Sequence, residues 1–506
     1  MVARHSSFDA PVFSLRVWPR WLALGFLALA VAACALGPDF RRPDPPAADS
    51  VLAPGRMPAA IRADGVEQRF DGQTALPARW WTLFSSPGMN ALVQQALDHS
   101  PTVRAAQATL HQSEEDLKAG YGVFFPQIGA SAAATRQASV LNLGRGPVVV
   151  GPYNLATLGA NVSYVPDIFG GQRRSVEALA AQVEEQHYAV IAAYLSLTSN
   201  VANTAIAHAA YHAQYEATRA SVRELEEQQQ LAQVQYDAGI SPYSAVLSLQ
   251  AQHAASVALL ATLEQRMDQS EHLLAQLCGA TPREFAAPSL ALADIHLPAR
   301  MPQTVPSALA RRRPDILAAE AALHRASAQI GIATADLFPS LTLGASGGEA
   351  HVAISQLLHA GTRFWSAQAA LSGYLFSGGS QWYARKAALQ AYDAALAQYQ
   401  QVVLEALEQV ADTMRALVHD AQALQAQVDA LTAATQNAQL TRARYEAGSA
   451  GYLDVLNADA QLQQARVAYQ GAVAQRLQDS VALYAALGGG WWEDPANAAL
   501  APAAVR

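Results

Sequence analysis

The feature that most constrains this chain is that it is written twice. Pro101 to Pro126 lies over Pro314 to Pro339 without a gap, and Pro101/Pro314, Ala105/Ala318, Ala106/Ala319, Leu110/Leu323, His111/His324 and Phe125-Pro126/Phe338-Pro339 are identical. A second match sets Tyr236-Asp-Ala-Gly239, Tyr243, Val246-Leu247 and Ala251-Gln252 over Tyr445-Glu-Ala-Gly448, Tyr452, Val455-Leu456 and Ala460-Gln461. Self-similarity at so long a period means that one supersecondary unit is used twice. The fold must have two equivalent halves.

Each half reads helix, strand, strand, long helix, turn, helix. Helices are expected at about Met89 to Gly122, Gln172 to Ala238 and Tyr243 to Leu277, then at Pro314 to Ala335, Ser380 to Ala447 and Tyr452 to Leu487. Gly239 and Gly448 stop the long helices where a left-handed cap belongs, which makes these two turns hairpin tips. At 1.5 Å per residue each long helix spans roughly 100 Å, about the length of the two shorter helices of its half laid end to end. Leu389, Tyr392, Leu396, Tyr399, Val403, Ala406 and Val410, followed by Leu417, Leu424 and Leu431, repeat at threes and fours. That period keeps one stripe against a neighbour, as in a left-handed coiled coil.

The segments between helices alternate. Leu158, Ala160, Val162 and Tyr164 interleave with Gly159, Asn161 and Ser163, while Leu341, Leu343 and Ala345 interleave with Thr342, Gly344 and Ser346. Trp365, Ala367, Ala369 and Leu371 interleave with Ser366, Gln368 and Ala370, and the weaker stretch Gln127 to Ala134 is the partner of the first strand. An apolar face backed by a small, polar one suits a strand between lipid and a water-filled lumen, although a half-buried soluble sheet gives the same alternation.

Composition and the N-terminus favour lipid. The chain is 51% hydrophobic and 15% charged, against roughly 25% charged for soluble domains. Something other than water must cover part of its surface. A net charge of -8 with no basic patch excludes a nucleic-acid binder. Arg4, Arg16 and Arg20 precede the apolar run Trp21 to Ala33, a length suited to an export signal and too short to span a bilayer. Val31-Ala32-Ala33-Cys34 resembles a lipoprotein box, in which Cys34 is acylated after cleavage, and Ala35 stands where an inner-membrane retention Asp would be. No other segment reaches about 20 continuous apolar residues, so a membrane span must be made of strands. Four strands cannot close a barrel, and an open edge is not tolerated in lipid, so copies must pool their strands. Eight from a dimer or twelve from a trimer both satisfy this count.

Five segments together resemble the TolC-like outer membrane factor family, in its NodT or OprM-like lipoprotein branch. They are Cys34-Ala-Leu-Gly-Pro-Asp-Phe, Trp80-Trp81-Thr-Leu-Phe, Asp167-Ile-Phe-Gly with Arg173-Arg174, Arg312-Arg313-Pro314-Asp315-Ile316 running to Phe338-Pro339, and Leu487-Gly-Gly-Gly-Trp491. The resemblance implies a mainly α protein with a transmembrane β-barrel. Its two repeats per chain would form one third of a 12-stranded barrel and a 12-helix periplasmic coiled-coil tube. It implies a homotrimer in outer-membrane lipid, serving a periplasmic adaptor and an inner-membrane efflux pump as exit duct for toxic compounds. A duct for type I protein secretion is the alternative, with the same fold and other partners. The expected segments are a signal peptide at 1–33, a lipidated extended segment at 34–88, repeats at 89–290 and 314–490, a linker at 291–313 and a tail at 491–506. By the same resemblance Asp454 and Asn457 fall where aspartates line the periplasmic aperture, and Asn457 departs from that pattern by carrying no charge. The spans from Tyr236 through Gly239 to Ser241, and from Tyr445 through Gly448 to Ala450, would face the adaptor. Rings of acidic side chains attract cations, while an Asp in the first turn of a helix also serves simply to complement its dipole.

No enzyme, cofactor or metal site is expected. Gly344-Ala-Ser346-Gly-Gly348 fits the nucleophile-elbow pattern but sits on an alternating strand running into a glycine-rich loop, where that motif needs a strand-to-helix turn. None of the 13 histidines has HExxH spacing, and His272 with Cys278 lacks further ligands.

Overall fold

The computed structural model describes residues 36–44, 46, 50–53, 55–72, 74–142, 146–303, 306–356 and 362–494. The signal, Cys34 and most of the C-terminal tail lie outside the described residues. The duplication is plain in the helix lengths. The long helices α3 (Gly171–Asp237) and α6 (Ser380–Glu446) have 67 residues each, and the returning helices α4 (Tyr243–Leu277) and α7 (Tyr452–Ala486) have 35 each. Ahead of the strands stand α1 (Pro87–His99) and α2 (Pro101–Gly120) in the first repeat, and α5 (Pro314–Ala335) in the second.

The single helix expected from Met89 to Gly122 is therefore two. Pro101 pushes the preceding residue out of the helical region, and Ser100 is extended at φ -61°, ψ 123°. A proline also opens α5 at Pro314, where a helix is expected from the sequence. A further Gly122 is lost from the helix because Tyr121–Phe124 tightens into a 3-10 turn.

The chain divides into two compact units. The first comprises Met1–Arg41, Gln112–Val183 and Ala321–Leu396. It holds an antiparallel four-stranded sheet in the order β3-β4-β6-β7, with β3 (Gln127–Asn142), β4 (Pro147–Tyr164), β6 (Ser340–His351) and β7 (Thr362–Ser372). All four strands run longer than the stretches read from the sequence: β4 begins in the apolar run Pro147 to Val150, β6 continues through Gly347-Gly348, and β3 and β7 extend through Thr135-Arg136-Gln137 and Thr362-Arg363, where apolar and polar residues no longer alternate. Gly347 and Gly348, expected in a loop, remain in β6 opposite Ala160 and Gly159. A side chain at 348 would overlap the Leu158 carbonyl, so the glycine is what lets the two backbones pair.

The second unit comprises Arg42–His111, Glu184–Glu320 and Ala397–Arg506. Its segment before α1, read as extended, contains a hairpin of β1 (Ala60–Ala63) and β2 (Val66–Asp71), with β5 (Arg300–Pro302) added in parallel. Asp64 and Gly65 both have positive φ, 51° and 72°, as a two-residue type I′ turn demands. Trp80, Trp81 and Phe84 follow in a buried 3-10 turn, and Trp80 stacks on Tyr484 at 5.8 Å.

The expected seam is buried where it runs through this unit. Tyr399, Val403, Ala406, Val410, Leu417 and Leu424 are in the core, joined by Met414 and Ala421, so the threes and fours continue. Helices α3 and α4 each contain an 18-residue window of mean hydropathy 1.3, a consequence of their alanine content. Neither is a dedicated span: α3 continues for 67 residues, more than three times the ~20 that cross a bilayer.

Candidate functional site

Two places in the chain correspond to the residues singled out from the sequence: the hairpin tips and the two faces of the four-stranded sheet. At the first tip the Ile240 amide donates to the Gln235 carbonyl and the Gly239 amide to the Tyr236 carbonyl, both at 2.8 Å. At the second, Ser449 donates to Arg444 at 2.8 Å and Gly448 to Tyr445 at 2.9 Å. These are paired Schellman caps, possible because Gly239 and Gly448 sit at φ 73° and 71° with open space around them. Each turn is bracketed by two tyrosines seven residues apart. The Tyr236 and Tyr243 rings lie 5.0 Å apart, and the Tyr445 and Tyr452 rings 5.4 Å apart. Gln235 also donates to the Tyr445 hydroxyl at 3.4 Å, so the two tips meet. Ser241 and Ala450 are half-buried beside these turns.

Asp454 and Asn457 are both exposed in the first two turns of α7. The Asp454 carboxylate accepts from the Gly451 amide at 2.9 Å, so it caps the helix and is held in place by that cap. Behind it, Arg442 donates to Asp459 at 2.9 Å and lies 3.7 Å from Glu224, and Gln228 donates to Asp459 at 3.1 Å. This polar bridge ties α6, α7 and α3 together near the tips, and nothing in the sequence spacing announces it. Burial, and then the nearby Tyr445 and Asp459, push the Tyr452 hydroxyl up to about 12. A groove of about 430 Å³ opens among α3, α4 and α7, with Glu224, Gln228, Gln252, Leu259 and Gln463 in its wall.

The sheet register sorts the strand residues by chemistry. Ile128 faces Val162, which faces Ala345, which faces Ala367; Tyr164 faces Leu343, which faces Ala369. In these rows one face is apolar across all four strands, and farther out the same face carries Arg136 and the Glu349–Arg363 ion pair. The other carries Ser131, Asn161, Ser163, Ser346, Ser366 and Gln368, with Ser346 and Ser366 hydroxyls 2.8 Å apart. On the apolar face Ile128, Trp365 and Leu371 are 78%, 82% and 71% exposed. Side chains of this kind are stable in hydrocarbon and costly in water.

The residues weighed for chemistry are accounted for otherwise. Ser346 lies mid-strand, and Cys278 is buried with its thiol pushed up to about 11 by burial, donating to the Leu92 carbonyl at 3.7 Å. Among the described residues no group of three His, Cys, Asp or Glu side chains is placed to hold a metal ion.

The family model described as outer membrane efflux protein matches residues 92–280 and 305–489, which bracket both repeats. The chain is 27% identical over 475 residues to Nodulation protein T of Rhizobium leguminosarum bv. viciae, covering 93% of each. It is 28% identical to the pyoverdine export outer membrane protein OpmQ of Pseudomonas putida, across 94% of this chain and 98% of that one. The solved outer-membrane channel OprN superposes with a TM-score of 0.80 at 29% identity, covering 90% of this chain and all of OprN. The repeated long helices, the four-stranded sheet and these matches converge: the chain belongs to the outer membrane efflux protein family and is an outer-membrane efflux channel.

Proposed function

We propose that three copies of this chain close one duct through the outer membrane, anchored by acyl chains on Cys34 and docked to a periplasmic adaptor and an inner-membrane pump. The observation that carries this is a sheet with one apolar face and two unpaired edges, β3 and β7. An edge cannot stand open in lipid, so the strands of several copies must close on one another. Two copies would give eight strands, and a barrel of that size has an interior filled by side chains. Twelve leave a lumen, which the polar face lines.

The duct itself performs no reaction and needs no cofactor. Energy reaches it from the pump, and its cargo class is small organic compounds of the kind for which its relatives are named. The segments 34–88, 89–290, 291–313 and 314–490 act as anchor, first repeat, linker and second repeat. The tips around Tyr236, Gly239, Ser241, Tyr445, Gly448 and Ala450 meet the adaptor, and the largely apolar groove among α3, α4 and α7 continues that surface. Asp454 of each copy contributes to a ring at the aperture, and Asn457 leaves that ring with one certain charge per chain. The test is native mass measurement in detergent followed by planar-bilayer recording. Three copies with a wide conductance are expected, whereas a monomer without conductance would overturn the reading.

A further inference from the structure

The chain just after Cys34 is gripped at several points. The Leu36 amide donates to the Phe169 carbonyl at 3.1 Å. Arg174 of α3, its side chain 6% exposed, donates to the Leu36 and Gly37 carbonyls at 3.4 and 3.5 Å and to Asp39 at 2.7 Å. Gly37 has φ 98°, and a side chain there would overlap the Gly331 backbone of α5, so only glycine allows this approach. Phe40 stacks on His324 of α5 with ring centroids 4.4 Å apart, and His324 meets Glu177 of α3 at 3.0 Å. The segment is a strap laid across α3 and α5. Cys34 stands two residues upstream of the Leu36 bond, a reach of at most about 7 Å.

A cavity of about 690 Å³ opens beside that bond, where the strands give way to helices, and its size is within the roughly 300–1,000 Å³ of pockets that hold ligands. Phe169 belongs to its wall, with Ile168, Ile332, Phe338 and Leu341. The polar groups among them are largely paired. Asp167 accepts from the Gln172 and Arg173 amides at 3.0 and 2.9 Å, Gln381 donates to the Asp336 carbonyl at 2.7 Å, and the Ser340 and Ser372 hydroxyls lie 3.2 Å apart. Gln172 commits its Nε2 to the Val165 carbonyl at 3.1 Å, while its Oε1 is buried without a partner among the described residues. Such a space suits a long apolar group that brings one N–H donor. Acylation of the amino terminus at Cys34 makes that combination, a fatty chain joined through an amide. We propose that the amide-linked acyl chain of Cys34 lies in this cavity, with Gln172 Oε1 accepting the amide N–H. The chain's own lipid then fills the space between the loop after β4 and the end of α5. Acyl chains on the Cys34 thiol stay in the leaflet, where a pair suffices for stable anchoring. This rests on the acyl anchor proposed above and says where one of its chains goes.

Photo-crosslinking in the membrane tests this. Cells expressing the full chain are fed a fatty acid with a mid-chain diazirine and illuminated, and the purified protein is digested and read by mass spectrometry. The expected product joins the peptide Cys34–Arg41, through its own fatty acid, to residues 165–172 or 332–341. It should form about tenfold more often than links to Ala369 and Leu371 on the apolar face, the ratio set by a preference of about 1.4 kcal/mol. I332W and A335F each put a ring into the cavity, and in whichever assembles like wild type by native mass the cavity product should fall to the level of the strand product. An undiminished product there overturns the docking. So do links from acylated Cys34 only to lipid or to the strands, and cavity adducts that carry a phospholipid in place of the peptide; these outcomes leave the anchor standing. A Cys34 peptide without fatty acid overturns the anchor and the docking together.

Discussion

Arg476 is the most deeply buried charge among the described residues, and its removal should loosen one identifiable element. Its guanidinium is fully buried in α7 and donates to Gln68 Oε1 at 3.0 Å, to the Ala63 carbonyl at 3.2 Å and to the Val66 carbonyl at 3.5 Å. Two of these acceptors flank the Asp64-Gly65 turn, so Arg476 holds the β1–β2 hairpin to the helix. Burial lowers its pKa, opposed by Asp420 and Asp64. In R476M the packing volume is nearly kept, but three acceptors lose a charged donor and Asp420 loses its cation. Truncating one side of a buried charged cluster costs about 3–5 kcal/mol. If that cost falls on local opening, hydrogen exchange of the β1 and β2 amides should accelerate by roughly two to three and a half orders of magnitude, at about tenfold per 1.4 kcal/mol. Amides in the middle of α6 should change far less. Exchange of the hairpin within threefold of wild type would refute the anchoring role.

Asp420 supplies a pH dependence: burial first, then the neighbouring Asp479, push its carboxyl up to about 8. A raised acid stabilises the fold while protonated, so stability should fall as pH rises from about 4 to about 8 and then level. D420N should flatten that slope and be the more stable protein at pH 8.5, as read by unfolding temperature across pH. In planar bilayers D454A should weaken cation preference and N457D strengthen it, and unchanged traces in both would remove these residues from the aperture. G448A should cost about 1 kcal/mol, since it forces an L residue into left-handed backbone, and exchange should rise only around Arg444 to Ser449. W80A should cost about 3–5 kcal/mol, because Trp80 is buried against Trp81, Phe84 and Tyr484, and a smaller loss of thermal stability would mean that the core collapses into the space.

The sequence disclosed those parts of the fold that rest on local chemistry. Helix ends set by Pro314, Gly239 and Gly448 were legible because proline and glycine restrict the backbone wherever they stand. Ser100 obeys the same rule and was passed over because the apolar pattern runs on across it. Strand faces were legible from alternation, but not strand lengths, since Pro147 to Gly151 and Gly347-Gly348 carry no alternation to read. The Asp64-Gly65 hairpin had a local signal that went unused. At the tips, the glycine caps could be read and the Tyr236–Tyr243 and Tyr445–Tyr452 pairs could have been, given their equal spacing. The Arg442–Asp459 bridge and the Arg476 anchor could not, because their partners are neighbours only in three dimensions. Asp454 was singled out by resemblance, and its capping bond is what the first turn of any helix would ask of it.

Transport of compounds out of the cell by this channel is read from the intracellular accumulation of dyes, antibiotics and aromatic acids in a strain lacking the protein, with and without its return on a plasmid. Accumulation of some of these compounds should rise in the deletion and fall again on complementation. Unchanged accumulation across the panel, in a strain also stripped of its other exit ducts, would contradict the account.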